Sequence, residues 1–393
     1  MNEDPTIEAA RISRGGLYYR MQSRLGLVEE DQLRPVTRAL LFVLIAWGAP
    51  VVISIFEGSA FGDTSETSFL LHLPVLSRFL VGISLLIAME PVAERQLAAV
   101  LNPLLSRPLL ATGSQAAAAS AATLAVRRRN SSLAEIICFL IACGFSVGAA
   151  YTLGAFDEAS WVFTIGSGGD RFSYTALWCL WVSSPIYFFL VARWIWRIVV
   201  VGLFLKAIAA LELRLTVTHP DGAGGLGFVG AFPNTYTLFV LALSCNLGAA
   251  IAGHLNAETI SATTFTAVMV IWVLITNGLL ALPMLFFTGP LQDLQQRTQD
   301  IAQAQATRYH IAQEHSVLQE SISKASEDEI SSERPVSDPG AIFKAARNLS
   351  TVLIQRMALL PISAAAVLPV FAAGATQLPL KDLFQILRKL LLF

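Results

Sequence analysis

Six stretches almost free of charged side chains punctuate the 393-residue chain, over 39–56, 70–90, 133–154, 173–192, 236–255 and 266–288. About 20 helical residues, rising 1.5 Å each, cross a hydrocarbon core of about 30 Å. Lipid offers no partner for backbone N–H and C=O groups, so apolar runs of this length cross as helices that satisfy their own backbone. This single feature predicts an all-α, polytopic helical membrane protein with six transmembrane helices in three hairpins. An apolar fraction of 54% against 14% charged residues agrees, being far from the average of a soluble domain.

Charge segregation orients those spans. Segments 1–38, 91–132, 193–235 and 289–357 hold 22 Lys and Arg, whereas the loops 57–69, 155–172 and 256–265 hold one, Arg171. Basic residues stay on the cytoplasmic side, which predicts a multi-pass protein of the bacterial cytoplasmic (inner) membrane with its N-terminus in the cytoplasm. The net charge of −1 gives no field for nucleic acid. Cys138, Cys143, Cys179 and Cys245 all fall inside predicted spans, so no disulfide framework outside the membrane is expected. The polar, Arg-rich N-terminus lacks the short apolar core of a cleavable signal.

The expected organisation is a cytoplasmic segment at 1–38 and a six-helix transmembrane domain at 39–290 with cytoplasmic loops 91–132 and 193–235. A cytoplasmic helix and flexible linker at 291–339 and a membrane-associated region at 340–393 follow. Residues 109–126 are uncharged, yet a span there would carry Arg127, Arg128 and Arg129 outside; a cytosolic Ala-rich helix is predicted instead. Pro361 and Pro369 interrupt 357–378, which favours a re-entrant or surface-lying segment over a seventh crossing. In Leu380–Phe393 the polar residues Lys381, Asp382, Gln385, Arg388 and Lys389 share one helical face, an amphipathic C-terminal helix. Leu291–Lys324 has helix-forming composition without a regular heptad; it is a candidate for homo-oligomerisation or for a cytoplasmic protein partner. At the inner end of the fourth span, Trp194 and Trp196 alternate with Arg193 and Arg197, the pattern of an interfacial belt with snorkelling arginines. That helix is expected to run on through Leu215.

Chemistry-bearing motifs are sparse. GxxxxGK[ST], HExxH and GxSxG are absent, and the five histidines form no cluster, so no catalytic residue, cofactor or metal site is predicted. The distinctive local motif is His219-Pro-Asp-Gly-Ala-Gly-Gly-Leu-Gly-Phe228. Pro220 stops a helix, Asp221-Gly222 is turn chemistry, and Gly224, Gly225 and Gly227 permit positive φ or close backbone approach. A tightly shaped loop is one reading; a nest of bare amides for an anion, or a hinge, is the other. His219, Pro220, Asp221, Gly224, Gly225, Leu226, Gly227 and Phe228, with the Leu-rich tail, resemble a group of bacterial polytopic membrane proteins of unestablished function. The resemblance implies a bacterial cytoplasmic membrane protein and carries no activity.

Within the bilayer, Arg78 stands out, because an arginine at the centre of a span costs roughly 2.5–3.5 kcal/mol on insertion scales. His72, Asn246, His254 and Asn277 are further polar groups at membrane depth, and Glu90 and Glu135 sit near the inner boundary as candidate counter-ions. These residues favour a channel or transporter for a small solute or anion. A membrane-anchored sensor or scaffold acting through 291–324 comes second, and a membrane enzyme third. Beyond the lipid bilayer, a second copy of the chain and a cytoplasmic protein reached through 291–324 are the candidate partners.

Overall fold

The computed structural model describes residues 5–29, 33–62, 67–106, 109–156, 161–164, 171–256, 261–318, 337–354 and 356–375. Predicted helix 380–393 and most of the 325–339 linker lie outside these residues. All six expected spans are helices: α3 (Pro35–Glu57), α4 (Leu73–Leu105), α6 (Ser132–Phe156), α7 (Tyr174–Ala209), α8 (Thr237–Asn256) and α9 (Ala262–Ala281). Two short helices, α1 (Pro5–Ala10) and α2 (Gly16–Arg24), precede them. A two-residue hairpin, Phe163–Thr164 with Arg171–Phe172, lies between α6 and α7.

The segment expected to be re-entrant or surface-lying is a continuous helix, α12 (Arg356–Gly374), with Pro361 and Pro369 inside it, which removes the re-entrant reading. Six helices, α12 among them, are each long and apolar enough to cross a membrane, and a bent pair, Thr112–Arg129 with Ser132–Gly148 at 43°, brings the number to seven. Close packing overrides the proline breaks. Gly248 of α8 lets the backbone of α12 come so near that an added Cβ would lie 2.7 Å from Pro369 O. On the other side, Ser363 Oγ donates to Asn277 Oδ1 of α9 at 3.2 Å, while Gly374 abuts the Phe265 ring. Asn277 lies near the end of α9 and Phe265 near its start, so α12 runs antiparallel to α9 along its length.

Helix α5 (Gln115–Arg129) packs against α1 and α7 through Ala118, Ala122, Ala125 and Arg129, a buried stripe at helical spacing. Arg129 Nη1 donates to the carbonyls of Glu8 and Arg11 at 2.9 and 2.8 Å, which ties α5 to the N-terminal segment. Helix α7 ends at Ala209, short of the expected Leu215, because Ala111 N–H donates to Glu212 O and Arg214 N–H to Leu109 O. That short antiparallel pairing takes the backbone groups a longer helix would have used. Helix α10 (Thr288–Leu318) begins at the 219–228 loop, where Leu291 and Leu294 approach Gly224, and α11 (Gly340–Arg347) packs on α10. The segments richest in Arg and Lys therefore meet at one end of the bundle, called here the basic face. At the other end, the Glu57 carboxylate that finishes α3 caps α7, accepting from Tyr174 N–H at 2.6 Å and Thr175 N–H at 3.2 Å.

Candidate functional site at Arg78

Three spans contain a π-helical turn: Leu44–Gly48 in α3, Leu76–Gly82 in α4 and Cys179–Ser183 in α7. Each closes on a bond to the fifth residue back: Ala49 N–H to Leu44 O, Ile83 N–H to Arg78 O, and Ser184 N–H to Cys179 O. In two of them the sequence supplies the cause. Once Ala49 bonds Leu44, the carbonyl of Ile45 has only Pro50 to turn to, and proline has no N–H. Leu180 is stranded in the same way between Ser184 and Pro185. Neighbouring helices satisfy both oxygens: Trp178 Nε1 donates to Ile45 O at 3.0 Å, and Ser146 Oγ of α6 donates to Leu180 O. The three turns are neighbours, and π-turns of this kind concentrate at functional sites.

Arg78 sits on the π-turn of α4. Its Nε donates to Asn246 Oδ1 of α8 at 3.4 Å, and its guanidinium carbon lies 5.6 Å from the centroid of the Phe188 ring. Tyr187 and Cys179 are within electrostatic reach. Among the described residues no carboxylate pairs with Arg78. Glu90 and Glu135, expected as counter-ions, are used elsewhere. Tyr187 packs on Gly82, where an added Cβ would come within 2.8 Å of its ring, and its buried hydroxyl has no hydrogen-bond partner among the described residues. The structure thus brings Arg78 and Asn246 together. It sends Asn277 to Val273 O and Ser363, and packs His72 edge-on against Trp161 with ring centroids 5.3 Å apart. His254 lies on the last turns of α8, and its side chain is outside the described set.

From Arg78 a stripe of residues four apart, Gly82, Leu86 and Glu90, descends α4 toward the basic face. Helix α7 covers it with Tyr187, then Trp194, whose indole N–H donates to Leu86 O at 2.9 Å, then Arg193 and Arg197. The expected snorkelling is not observed: Trp194 is 0% exposed and Arg193 and Arg197 are each 1% exposed. The N-terminal segment and α5 cover this end of α7, so the side chains meet protein and not headgroups.

A charge network takes their place. Glu90 accepts from both terminal nitrogens of Arg38 and from Arg193 Nη1 at 3.1 Å. Arg193 Nε reaches Glu135 Oε1 at 3.4 Å, and its guanidinium stacks 4.5 Å from the Tyr18 ring centroid. Residues 13–18 enter the same cluster: Ser13 N–H donates to Glu94 at 3.1 Å and Tyr18 N–H to Glu135 at 2.9 Å. Around it, Arg14 lies 3.7 Å from Glu94, and Arg129 pairs with Glu8 at 2.8 Å. Pairs this deep are costly to desolvate and strongly destabilising when broken on one side. Sequence reasoning missed Arg38 as the partner of Glu90.

The 219–228 loop is built for an anion, and its own side chain provides it. Gly222, Gly224 and Gly225 have φ of 63°, 68° and 99°, which turns the amides inward. Asp221 Oδ1 accepts from Ala223 N–H at 2.9 Å and Gly225 N–H at 3.1 Å, and Oδ2 accepts from Gly227 N–H at 2.8 Å. His219 Nδ1 lies 2.8 Å from Asp221 Oδ1 and 3.3 Å from Asp221 N. The predicted nest is therefore filled from within, and the tightly shaped loop is the reading the structure supports. Burial raises the Asp221 carboxyl pKa, and the backbone N–H donors with His219 outweigh that and hold it below the ordinary carboxylate range. Ser350 N–H donates to Gly222 O at 2.8 Å, so the loop also anchors the chain between α11 and α12.

No family model, curated protein or solved structure matches this chain. The chain is an integral membrane protein of all-α architecture. What the Arg78 site does rests on its chemistry.

Proposed function

We propose that this protein carries a small anion across a bacterial inner membrane, with its N-terminus and basic face in the cytoplasm and Arg78 as the cation that meets the anion at membrane depth. The observation that carries the proposal is the partnering of Arg78. A guanidinium within a span is held by one amide oxygen and one aromatic face, with no carboxylate among the described residues. Charges at this depth are ordinarily paired or face a path for solutes, and an incoming anion would supply the missing charge. The neighbouring π-turns support the reading, since their backbone ladders are already opened. Charge segregation supports the orientation.

Flux of chloride, nitrate and sulfate into proteoliposomes tests it. Wild-type flux well above empty vesicles, reduced at least tenfold in Arg78→Gln and kept in part by Arg78→Lys, is expected. Equal flux in wild type and Arg78→Gln, both folded, overturns the role of Arg78; no flux in either overturns transport.

A scaffold reading has one observation of its own. Beyond Ala302, helix α10 is almost entirely exposed through Leu318. Deleting 303–318 and measuring assembly size in detergent tests it; an unchanged assembly removes this reading.

A further inference from the structure

The charge network on the basic face is unbalanced at its centre. Three buried guanidinium groups, of Arg38, Arg193 and Arg197, face two buried carboxylates, of Glu90 and Glu135. The surrounding Arg14–Glu94 and Arg129–Glu8 pairs are each internally neutral. Arg38 and Arg193 share Glu90, and Arg193 adds Glu135. Arg197 has no ion pair among the described residues, although it is 1% exposed. Its Nη1 is buried without a hydrogen-bond partner among those residues, and its Nη2 donates to the Ser13 carbonyl at 3.1 Å. Arg193 Nη2 donates to the same oxygen, also at 3.1 Å. Two guanidinium groups four residues apart on α7 thus converge on one neutral oxygen and leave one of their donors idle.

A main-chain carbonyl in that place is a partial substitute. Guanidinium pairs bind oxyanions through parallel N–H donors, and a sulfate or phosphate offers both the charge and the additional oxygens that one carbonyl lacks. The carbonyl is delivered by the N-terminal segment. Just after Ser13 come Gly15 and Gly16, with φ of 81° and 84°, and an added Cβ on Gly16 would strike the Glu135 carboxylate. Only a glycine pair passes there, and the segment before it is held by polar contacts of Ser13, by the Arg129–Glu8 pair and by the burial of Ala9, Ala10 and Ile12.

We propose that Arg193 and Arg197 form a binding site for a tetrahedral oxyanion, and that the N-terminal segment occupies this site with the Ser13 carbonyl, so that segment and oxyanion compete. The site lies at the basic end of the α4–α7 stripe and does not depend on Arg78 or on transport. When the oxyanion binds, Arg197 Nη1 gains its partner, the cluster becomes neutral or negative, and residues 13–16 leave the groove.

Sulfate is the probe, on the full-length protein in detergent. With the four native cysteines replaced by alanine, Ser13→Cys reacts slowly with a maleimide, and saturating sulfate accelerates the reaction at least fivefold, whereas chloride at equal ionic strength does not. Gly16→Val, which unseats the segment, tightens sulfate binding at least tenfold by calorimetry, and adding Arg197→Gln abolishes that gain. Labelling of Ser13→Cys that is indifferent to sulfate overturns the proposal, as does a gain in Gly16→Val that survives Arg197→Gln. Gly16→Ala is the milder variant should Gly16→Val not fold, and the labelling experiment needs neither. Arg78→Gln separates the two proposals: it reduces flux at least tenfold and leaves the sulfate effect on labelling in place.

Discussion

Trp178 of α7 donates its indole N–H to the carbonyl of Ile45 in α3, the one oxygen that the π-turn and Pro50 together leave without a helical partner. A proline in one span thereby specifies a tryptophan in another. Unpaired carbonyls in lipid are expensive, so the bond fixes how α3 and α7 lie against each other.

Trp178→Phe removes the donor and keeps most of the ring. We expect a loss of about 1–3 kcal/mol, the range for an orphaned buried acceptor. Denaturant titration in mixed micelles measures it, and a double-mutant cycle with Pro50→Ala tests the cause. Alanine at 50 restores an N–H for Ile45 O, so the Trp178→Phe penalty should shrink by at least half in that background.

Glu90→Gln leaves Arg38 and Arg193 facing a neutral group in a buried cluster. Breaking one side of such a network costs about 3–5 kcal/mol. Thermal unfolding followed by fluorescence-detected size exclusion should show a large fall in midpoint, whereas Glu29→Gln, whose partner Arg34 is surface-exposed, should change little.

The length and apolar composition of α12 give a topological prediction. Helix α12 starts beside the 219–228 loop and ends beside Phe265, so a reporter fused after Phe393 should lie on the membrane face opposite a reporter at the N-terminus. Both reporters on one face would mean that α12 does not cross.

Asp221 carries a pH dependence. Its carboxyl is held below the ordinary range, so the loop is fully stabilised above about pH 4 and loses this contribution as pH falls through the lowered folded-state value. Asp221→Ala should remove about 2 kcal/mol at neutral pH, the scale for hydrogen bonds to a charged group. Hydrogen exchange at Ala223, Gly225 and Gly227 reads it directly: protection should fall in the variant and, in wild type, only under acid.

Much of the fold was legible because long apolar runs have one solution in lipid. The boundaries of α6 and α8 fall within a few residues of the expected spans for that reason. Arg78 was legible as an outlier of composition, and Asn246 as a polar group at similar depth. The π-turns were not, although Pro50 and Pro185 marked two of them; a proline within a span signals a break or a kink, and the side chain that repairs it comes from a distant part of the chain.

Read alone, the sequence determined that the chain is a bundle of membrane helices and which segments belong to its basic face, because hydropathy and charge act locally, residue by residue. Tertiary structure decided what each polar group does. Arg193 and Arg197 read as interfacial anchors until α5 and residues 13–18 cover them, Asp221 reads as the rim of an open nest until it fills it, and 357–378 reads as broken until Gly248 lets α12 lie against α8. Burial and pairing depend on which distant segments arrive, and that information lies in packing, not in the period or composition of any one segment.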